Sequence, residues 1–175
     1  PGYGGTQRLP RLLSNHLGDE GLIEAADIIL GGRTFTAQDA LRIGLINEIS
    51  TEKDALSTAV EMAREYIADP KNSSLAKAHK TRLELNAKWD KPMKFWSEFY
   101  SHPEVMRLVA QAKSSGRELP AQMALEAIQF GIEQGIGKGL EKEAHLFAES
   151  VINPKAGKYG IQAFFDKKSA PLPTR

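Results

Sequence analysis

Hydrophobic residues recur at helical spacing along most of the chain, and glycine or proline separates one such stretch from the next. Leu9, Leu12 and Leu13, for example, give one apolar face directly after a glycine-rich start. Spacings of three and four residues place side chains on the same side of a helix. The pattern therefore predicts a mainly α-helical chain.

The predicted helices each combine an apolar stripe with a start or stop signal. Thr36 and Asp39 have the spacing of a capping box, and Gly44 suits the left-handed position after a helix. Residues 45–49 are predicted to form one short strand. We expect helices from about residue 6, from Asp19, after Thr36, from about residue 53 to before Pro70, over about 74–89, from Pro120, after the glycines that end at 139, and over about 159–165.

The glycines between residues 131 and 139 predict a turn between two helices. The helix that follows is expected to bury an apolar stripe of Leu140, Ala144, Phe147 and Val151. Glu141 and Glu143 fall on different faces of this helix, and exposure to solvent explains them better than acid–base chemistry. Both carboxylates are therefore expected at the surface.

Four aromatic residues stand close together at 95–100, namely Phe95, Trp96, Phe99 and Tyr100. Such a cluster is typical of a core, with a subunit interface as the alternative, rather than of a surface that stacks on bases. The lysines and arginines of residues 74–89 are spread around the helix axis, which favours a solvated face over a nucleic-acid site.

Composition limits the class of protein further. The chain has 175 residues, 41% of them hydrophobic, and a formal net charge of only +1, so we expect a globular protein that binds neither nucleic acid nor a membrane. It contains no cysteine, which excludes disulfides, thiolate zinc sites and cysteine nucleophiles, and favours a reducing, cytoplasmic setting. The four histidines are scattered without metal-ligand spacing, so no metal site is predicted.

The sequence alone contains no complete catalytic constellation. Residues 135–139 resemble a phosphate-binding loop only superficially, because Gly139 stands where a serine or threonine would bind magnesium. A serine-hydrolase elbow is also missing. The chain opens on a turn without Met, and a lone strand cannot satisfy its backbone groups, so we expect further sequence to precede Pro1.

A family resemblance supplies the missing context. Residues 1–12, PGYGGTQRLPRL, closely resemble the turn-and-helix segment of enoyl-CoA hydratases and the wider crotonase superfamily. The resemblance continues through GRTFTAQDA at 32–40 and GLIN at 44–47. Residues 124–128, 139–144 and 160–168 are similar to longer hydratases and to the hydratase part of multifunctional β-oxidation proteins. The family resemblance covers nearly the whole chain and is weakest over about residues 74–118.

The resemblance implies a fold and an activity. Residues 1–50 would be the end of a crotonase-type ββα spiral, and residues 51–175 a helical C-terminal region that packs subunits into a trimer or a dimer of trimers. The implied reaction is addition of water to a trans-2-enoyl-CoA in acyl-CoA degradation, with two glutamates and an oxyanion hole supplied by preceding sequence. Enoyl-CoA isomerisation, ring-opening acyl-CoA hydrolysis, or a non-catalytic assembly module remain alternatives.

The resemblance also implies site residues. The backbone N–H of Gly2 would face the water being added, although a glycine needed only for the turn remains an alternative. Tyr3 would line the acyl pocket, and Phe147, Phe164 and Lys167 would contact coenzyme A, with an ordinary core role as the alternative for Phe164. The expected partners are the acyl-CoA substrate, the upstream part of the same enzyme and further copies of the chain. Coenzyme A enters only as part of the substrate, and no separate cofactor is expected.

Overall fold

The computed structural model describes residues 2–50, 54–153 and 166, and describes residues 82, 85 and 86 by their backbone only. The mainly helical prediction is confirmed for these residues. Their α-helices are α1 Gly5–Leu17, α2 Glu20–Ala26, α3 Ala37–Arg42, α4 Ala55–Ala68, α5 Ser74–Trp89, α6 Pro103–Ser114, α7 Glu118–Gln134 and α8 Ile136–Ile152. A π-helical turn, Asp27–Gly31, continues α2, and a 3-10 turn, Phe99–Ser101, precedes α6. The helix expected at 159–165 lies outside the described residues.

The end of α3 shows why the predicted strand at 45–49 is wrong. The described part of the chain contains no β-strand. Instead, the N–H groups of Leu45 and Ile46 turn back and donate to the carbonyl of Ala40, at 2.8 and 3.3 Å. Gly44 permits this reversal with a φ of 75°. Backbone groups without a partner strand are thus satisfied at the C-terminus of the helix.

The capping box at the start of α3 forms as predicted. The Thr36 hydroxyl accepts from the Asp39 N–H at 3.1 Å, and the Asp39 carboxylate accepts from the Thr36 N–H at 3.2 Å. These reciprocal bonds satisfy amides that the helix itself leaves without partners. Local sequence therefore sets the start of this helix.

The main hydrophobic core lies where α2, α6 and α7 meet. Phe99 and Ile128 are completely buried there, and Val105 and Leu108 from α6 pack against the same cluster. Phe95 packs edge-to-face on Phe99, with 5.3 Å between ring centroids. The core interpretation of the aromatic cluster is confirmed for these two rings. Helix α6 was not predicted from the sequence.

Helix α4 is regular but contributes nothing to this core. Its apolar stripe lies at the surface, with Leu56 74% exposed and Ile67 77% exposed. Among the described helices α5 is its main neighbour, and none of its side chains is buried. The predicted amphipathic helix is present, and its apolar face is left without a partner in this part of the chain.

The turn predicted between α7 and α8 is confirmed but is shorter than the run of glycines suggested, and two of the other glycines lie where the helices meet. Only Gly135, with a φ of 90°, breaks the helices, while Gly131 belongs to α7 and Gly139 to α8. A Cβ on Gly139 would come within 2.6 Å of the Gly131 Cα. Because neither residue has a side chain, the two helix backbones approach closely.

Candidate functional site

The glycine-rich turn at the start of the chain begins α1, as the sequence predicted. Gly4 adopts a φ of 85°, a left-handed conformation that favours glycine. Its carbonyl accepts from the N–H groups of Gln7 at 3.2 Å and Arg8 at 2.9 Å. Gly4 has no side chain with which to cap the helix, so the first amides need acceptors from elsewhere in the fold.

Glu143 of α8 provides those acceptors. Its Oε1 accepts from the Gly4 N–H at 2.6 Å, and its Oε2 accepts from the Thr6 N–H at 3.1 Å and also from the Thr6 hydroxyl. The residue is only 2% exposed, so the prediction of a solvent-exposed carboxylate is wrong. A negative charge at this point complements both the unpaired amides and the positive end of the helix dipole.

The buried face of α8 differs from the predicted apolar stripe. Gly139, Glu143 and Leu146 face the interior. In contrast, Leu140, Phe147 and Val151 are 37%, 48% and 42% exposed. The stripe prediction was wrong because it assigned the interior to the most hydrophobic positions. The buried face of α8 is instead determined by the contact of Gly139 with α7 and by the hydrogen-bond donors of α1 that Glu143 accepts from.

The Phe147 ring lies against Gly2, the first residue that the structure describes. A Cβ added to Gly2 would stand 2.3 Å from the Phe147 Cγ and 2.5 Å from its Cδ2. The ring therefore packs directly on the Gly2 backbone. Among the described residues, the Gly2 N–H forms no hydrogen bond.

A buried polar network ties α1 to α7. The Gln7 side-chain amide donates to the Ala127 carbonyl at 2.7 Å and to the Thr6 hydroxyl at 3.0 Å. Arg11 donates to the Gln7 carbonyl at 2.8 Å and to the Gly131 carbonyl at 2.5 Å. Burial lowers the pKa of Arg11 to about 10, with Asp90 acting in the opposite direction. The network fixes the helix that carries the glycine-rich turn.

A cavity of about 190 Å³ lies next to this turn, between the π-helical turn after α2, α7 and α8. Thr6, Glu143 and Phe147 form part of its wall, and much of the rest is apolar, including Leu30 and Ala124. Arg117 also lines it and donates to the Leu30 carbonyl at 3.3 Å. The space is therefore mostly apolar with a few polar groups, which is the usual character of a small-molecule site.

The structure brings together some of the residues predicted for the site. Gly2 and Phe147 are in contact, as described above. Tyr3 is 93% exposed and does not line the cavity, and its assignment to the acyl pocket stays a prediction. Phe164 and Lys167 lie outside the described residues, and their contacts with coenzyme A also stay predictions.

Glu143 and Thr6 were missed as members of the site. The available signal was the spacing of Gly139, Glu143 and Leu146, which places the carboxylate on the same helix face as a glycine and a leucine. An acidic residue on such a face requires buried donors.

Comparison with known proteins identifies the family. The family model for enoyl-CoA hydratase/isomerase matches residues 1–102, more than half of the chain. The chain belongs to the enoyl-CoA hydratase/isomerase family. The resemblance found in the sequence is thereby confirmed. Within this family member, the matched region contains the glycine-rich turn and α1 to α5, while Glu143 and Phe147 lie beyond it in α8.

Longer relatives match both regions. The "Fatty acid oxidation complex subunit alpha" of Vibrio cholerae serotype O1 is 33% identical over 160 residues, covering 87% of this chain and 19% of the relative. The protein of the same name from Shewanella baltica is 31% identical over 160 residues, covering 89% of this chain and 20% of the relative. The chain thus spans about a fifth of the length of these relatives.

Two further findings concern the described residues of this family member. None of the helices in this part of the chain is long and apolar enough to cross a lipid bilayer. Likewise, no group of three or more acidic or histidine side chains is arranged there to hold a metal ion.

Proposed function

We propose that this chain is part of an enzyme that adds water to the double bond of a trans-2-enoyl-CoA thioester during fatty-acid degradation. Membership in the enoyl-CoA hydratase/isomerase family supports the reaction class. The names of the long relatives, which refer to fatty acid oxidation, support the metabolic setting. The observation that carries the proposal is the contact between Gly2 and Phe147, because the Phe147 ring packs on the Gly2 backbone and also lines the cavity.

In this proposal the Gly2 N–H donates to the oxygen of the attacking water. The oxygen adds to C3 of the enoyl group and a proton is added to C2, so that one molecule of water is consumed. A fixed amide donor near the reacting oxygen orients it without an energetic cost of reorganisation. The absence of a side chain at Gly2 leaves room for both the substrate and the Phe147 ring.

Other parts of the reaction are assigned to sequence that precedes this chain. We place there the two catalytic glutamates, the oxyanion hole and the greater part of a ββα spiral, of which residues 1–50 would be the end. Residues 51–175 would then form the C-terminal helical region. The exposed apolar stripe of α4 supports this arrangement, because such a face is stabilised when another part of a protein covers it.

Binding of the coenzyme A portion is proposed for Phe147, Phe164 and Lys167, and Tyr3 is proposed to border the acyl chain. An aromatic ring suits the adenine, and a lysine suits a phosphate as a point charge. We further propose a cytoplasmic enzyme that assembles as a trimer or a dimer of trimers.

The test compares two proteins, the complete enzyme that contains this chain and the 175-residue chain alone. Each is assayed with crotonyl-CoA by following loss of the conjugated double bond. We expect hydration by the complete enzyme and no turnover by the isolated chain, because the catalytic acids would be missing. A complete enzyme that shifts the double bond of a trans-3-enoyl-CoA but hydrates nothing would contradict the proposal in favour of an isomerase.

A further inference from the structure

Glu143 is a buried carboxylate that the proposed reaction does not use. Its two oxygens accept from the Gly4 N–H, the Thr6 N–H and the Thr6 hydroxyl, and it is 2% exposed. Burial of a charge is costly unless hydrogen bonds compensate for it. Three donors at this one carboxylate make it a tight connection between α8 and the first turn of α1.

Helix α8 holds the glycine-rich turn at two places. Glu143 binds Gly4 and Thr6, and Phe147, four residues later on the same helix, packs on Gly2. Residues four apart in a helix lie one above the other, so the carboxylate and the ring act from one rigid support. The turn from Gly2 to Thr6 is therefore fixed by two side chains of a helix that is distant in sequence.

We propose that Glu143 is a positioning residue that sets the direction of the Gly2 amide, an inference that rests on the proposed function. The amide is useful only if it points at the place where the attacking oxygen sits. Catalytic groups need placement within about 0.5 Å. A misplacement of about 1 Å is enough to lower a rate by about 100-fold. In this inference Glu143 acts on the reaction through the Gly2 amide, since its own oxygens are taken up by Gly4 and Thr6.

The experiment uses Glu143→Gln and Glu143→Asp in the complete enzyme, with crotonyl-CoA as substrate. Glutamine keeps one acceptor oxygen but presents an NH₂ group to the remaining donors. We expect kcat to fall about 10- to 100-fold while KM changes by less than about threefold, because binding of coenzyme A is untouched. Aspartate keeps the charge on a shorter side chain and is expected to restore part of kcat.

Matched controls separate positioning from general loss of stability. Glu141→Gln changes an exposed carboxylate on the same helix and is expected to leave kcat unchanged. Ile128→Val, in the buried core of α7, is expected to lower the melting temperature without changing kcat. Thr6→Val removes the hydroxyl donor but keeps both backbone amides, so it provides a milder variant if Glu143→Gln fails to fold. For Thr6→Val we expect about a 3- to 10-fold loss of kcat.

The outcomes are distinguishable. A wild-type enzyme that does not hydrate crotonyl-CoA overturns the proposed function, and the positioning role with it. If the wild type is active and Glu143→Gln has an unchanged kcat, the positioning role alone is overturned. If Glu143→Gln does not fold, an unchanged kcat of Thr6→Val has the same consequence. The positioning role is also overturned if Ile128→Val lowers the melting temperature as much as the Glu143 variants do and lowers kcat by the same factor. A selective fall in kcat that aspartate partly restores supports the inference.

Discussion

The ring of Phe147 occupies the space into which a side chain at position 2 would project. Three of its carbon atoms would lie 2.3 to 2.7 Å from a Cβ on Gly2, far inside van der Waals contact. In the proposed function, glycine at this position leaves room for the substrate. The contact adds a second reason, because the protein's own aromatic residue already fills one side of this backbone.

Replacing Gly2 with alanine tests this contact. The new methyl group must displace either the Phe147 ring or the glycine-rich turn, so we expect Gly2→Ala to lower kcat of the complete enzyme by at least about tenfold. A double-mutant cycle with Phe147→Ala isolates the clash. If the clash is the cause, Gly2→Ala should cost less in the Phe147→Ala background. Equal losses in both backgrounds would mean that substrate crowding alone demands the glycine.

The packing of the Gln7 side chain of α1 against the glycines of α7 and α8 leads to a prediction about stability. A Cβ on Gly131 would stand 1.7 Å from the Gln7 Oε1, and one on Gly139 would stand 2.2 Å from the same atom. We expect Gly131→Ala and Gly139→Ala each to lower the free energy of unfolding by about 1–3 kcal/mol, as overpacking usually does. Chemical denaturation of the purified protein measures this.

Gly137 is the matched control, since nothing lies within 4 Å of the position its Cβ would take. It belongs to α8, where alanine is favoured over glycine by about 0.5–1 kcal/mol. Gly137→Ala is therefore expected to be neutral or stabilising. A similar destabilisation of all three variants would indicate that the glycines matter for backbone conformation rather than for helix contact.

The burial of Tyr100 leads us to expect a loss of folding stability at alkaline pH. Burial raises its pKa to about 12, with the carboxylates of Glu133 and Glu126 acting in the same direction. Between about pH 10 and 12 the unfolded chain would release the phenolic proton while the folded chain retains it. Stability is therefore expected to fall as pH rises through this window. Tyr100→Phe should show a shallower fall in melting temperature.

The alkaline comparison has an internal control. The lowered pKa of Arg11 acts with the opposite sign in the same pH range, but it is present in both proteins and cancels in their difference. Titration of the tyrosinate absorbance should also show one late-ionising group that disappears in Tyr100→Phe. If the group lost in Tyr100→Phe instead ionises near pH 10, like an exposed tyrosine, that result would contradict a raised pKa.

Lys167 is predicted to contact a phosphate of coenzyme A. Lys167→Ala in the complete enzyme is expected to raise KM for crotonyl-CoA by about 10- to 150-fold with little change in kcat, because a charge-assisted hydrogen bond contributes about 1.5–3 kcal/mol. Lys168→Ala carries the same loss of charge one residue away and serves as the control. An unchanged KM in Lys167→Ala, or an equal effect in both variants, would argue against a specific contact.

Local features of the sequence were sufficient to predict much of the fold. The capping box at Thr36 and the glycine at position 44 depend on neighbours within a few residues, and both formed as predicted. The strand prediction for residues 45–49 was wrong because a strand requires a partner strand. Here the carbonyl of Ala40 instead accepts from the first two amides of this segment. The prediction of which face of α8 is buried was wrong for a related reason, because that face is determined by contacts with α1 and α7.

For the candidate site, the glycine-rich turn was predictable from its own residues and from the family motif. Its contact with Phe147 was expected only in the sense that both residues belong to one site. The spacing of Gly139, Glu143 and Leu146 places the carboxylate on one helix face with a glycine and a leucine, but it does not identify the donors that Glu143 meets. Its donors lie at the opposite end of the chain, and only the packing of α1 against α8 brings them within reach.

The bond between Gly4 and Glu143 joins residues that are 139 positions apart. During synthesis on the ribosome, α1 can form early, but its first turn has to wait for α8 to emerge before it receives its acceptor. At about 5–20 residues per second this delay is roughly 7 to 28 s. The segment that we place beside the reacting water would thus take its final shape only after α8 has been synthesised.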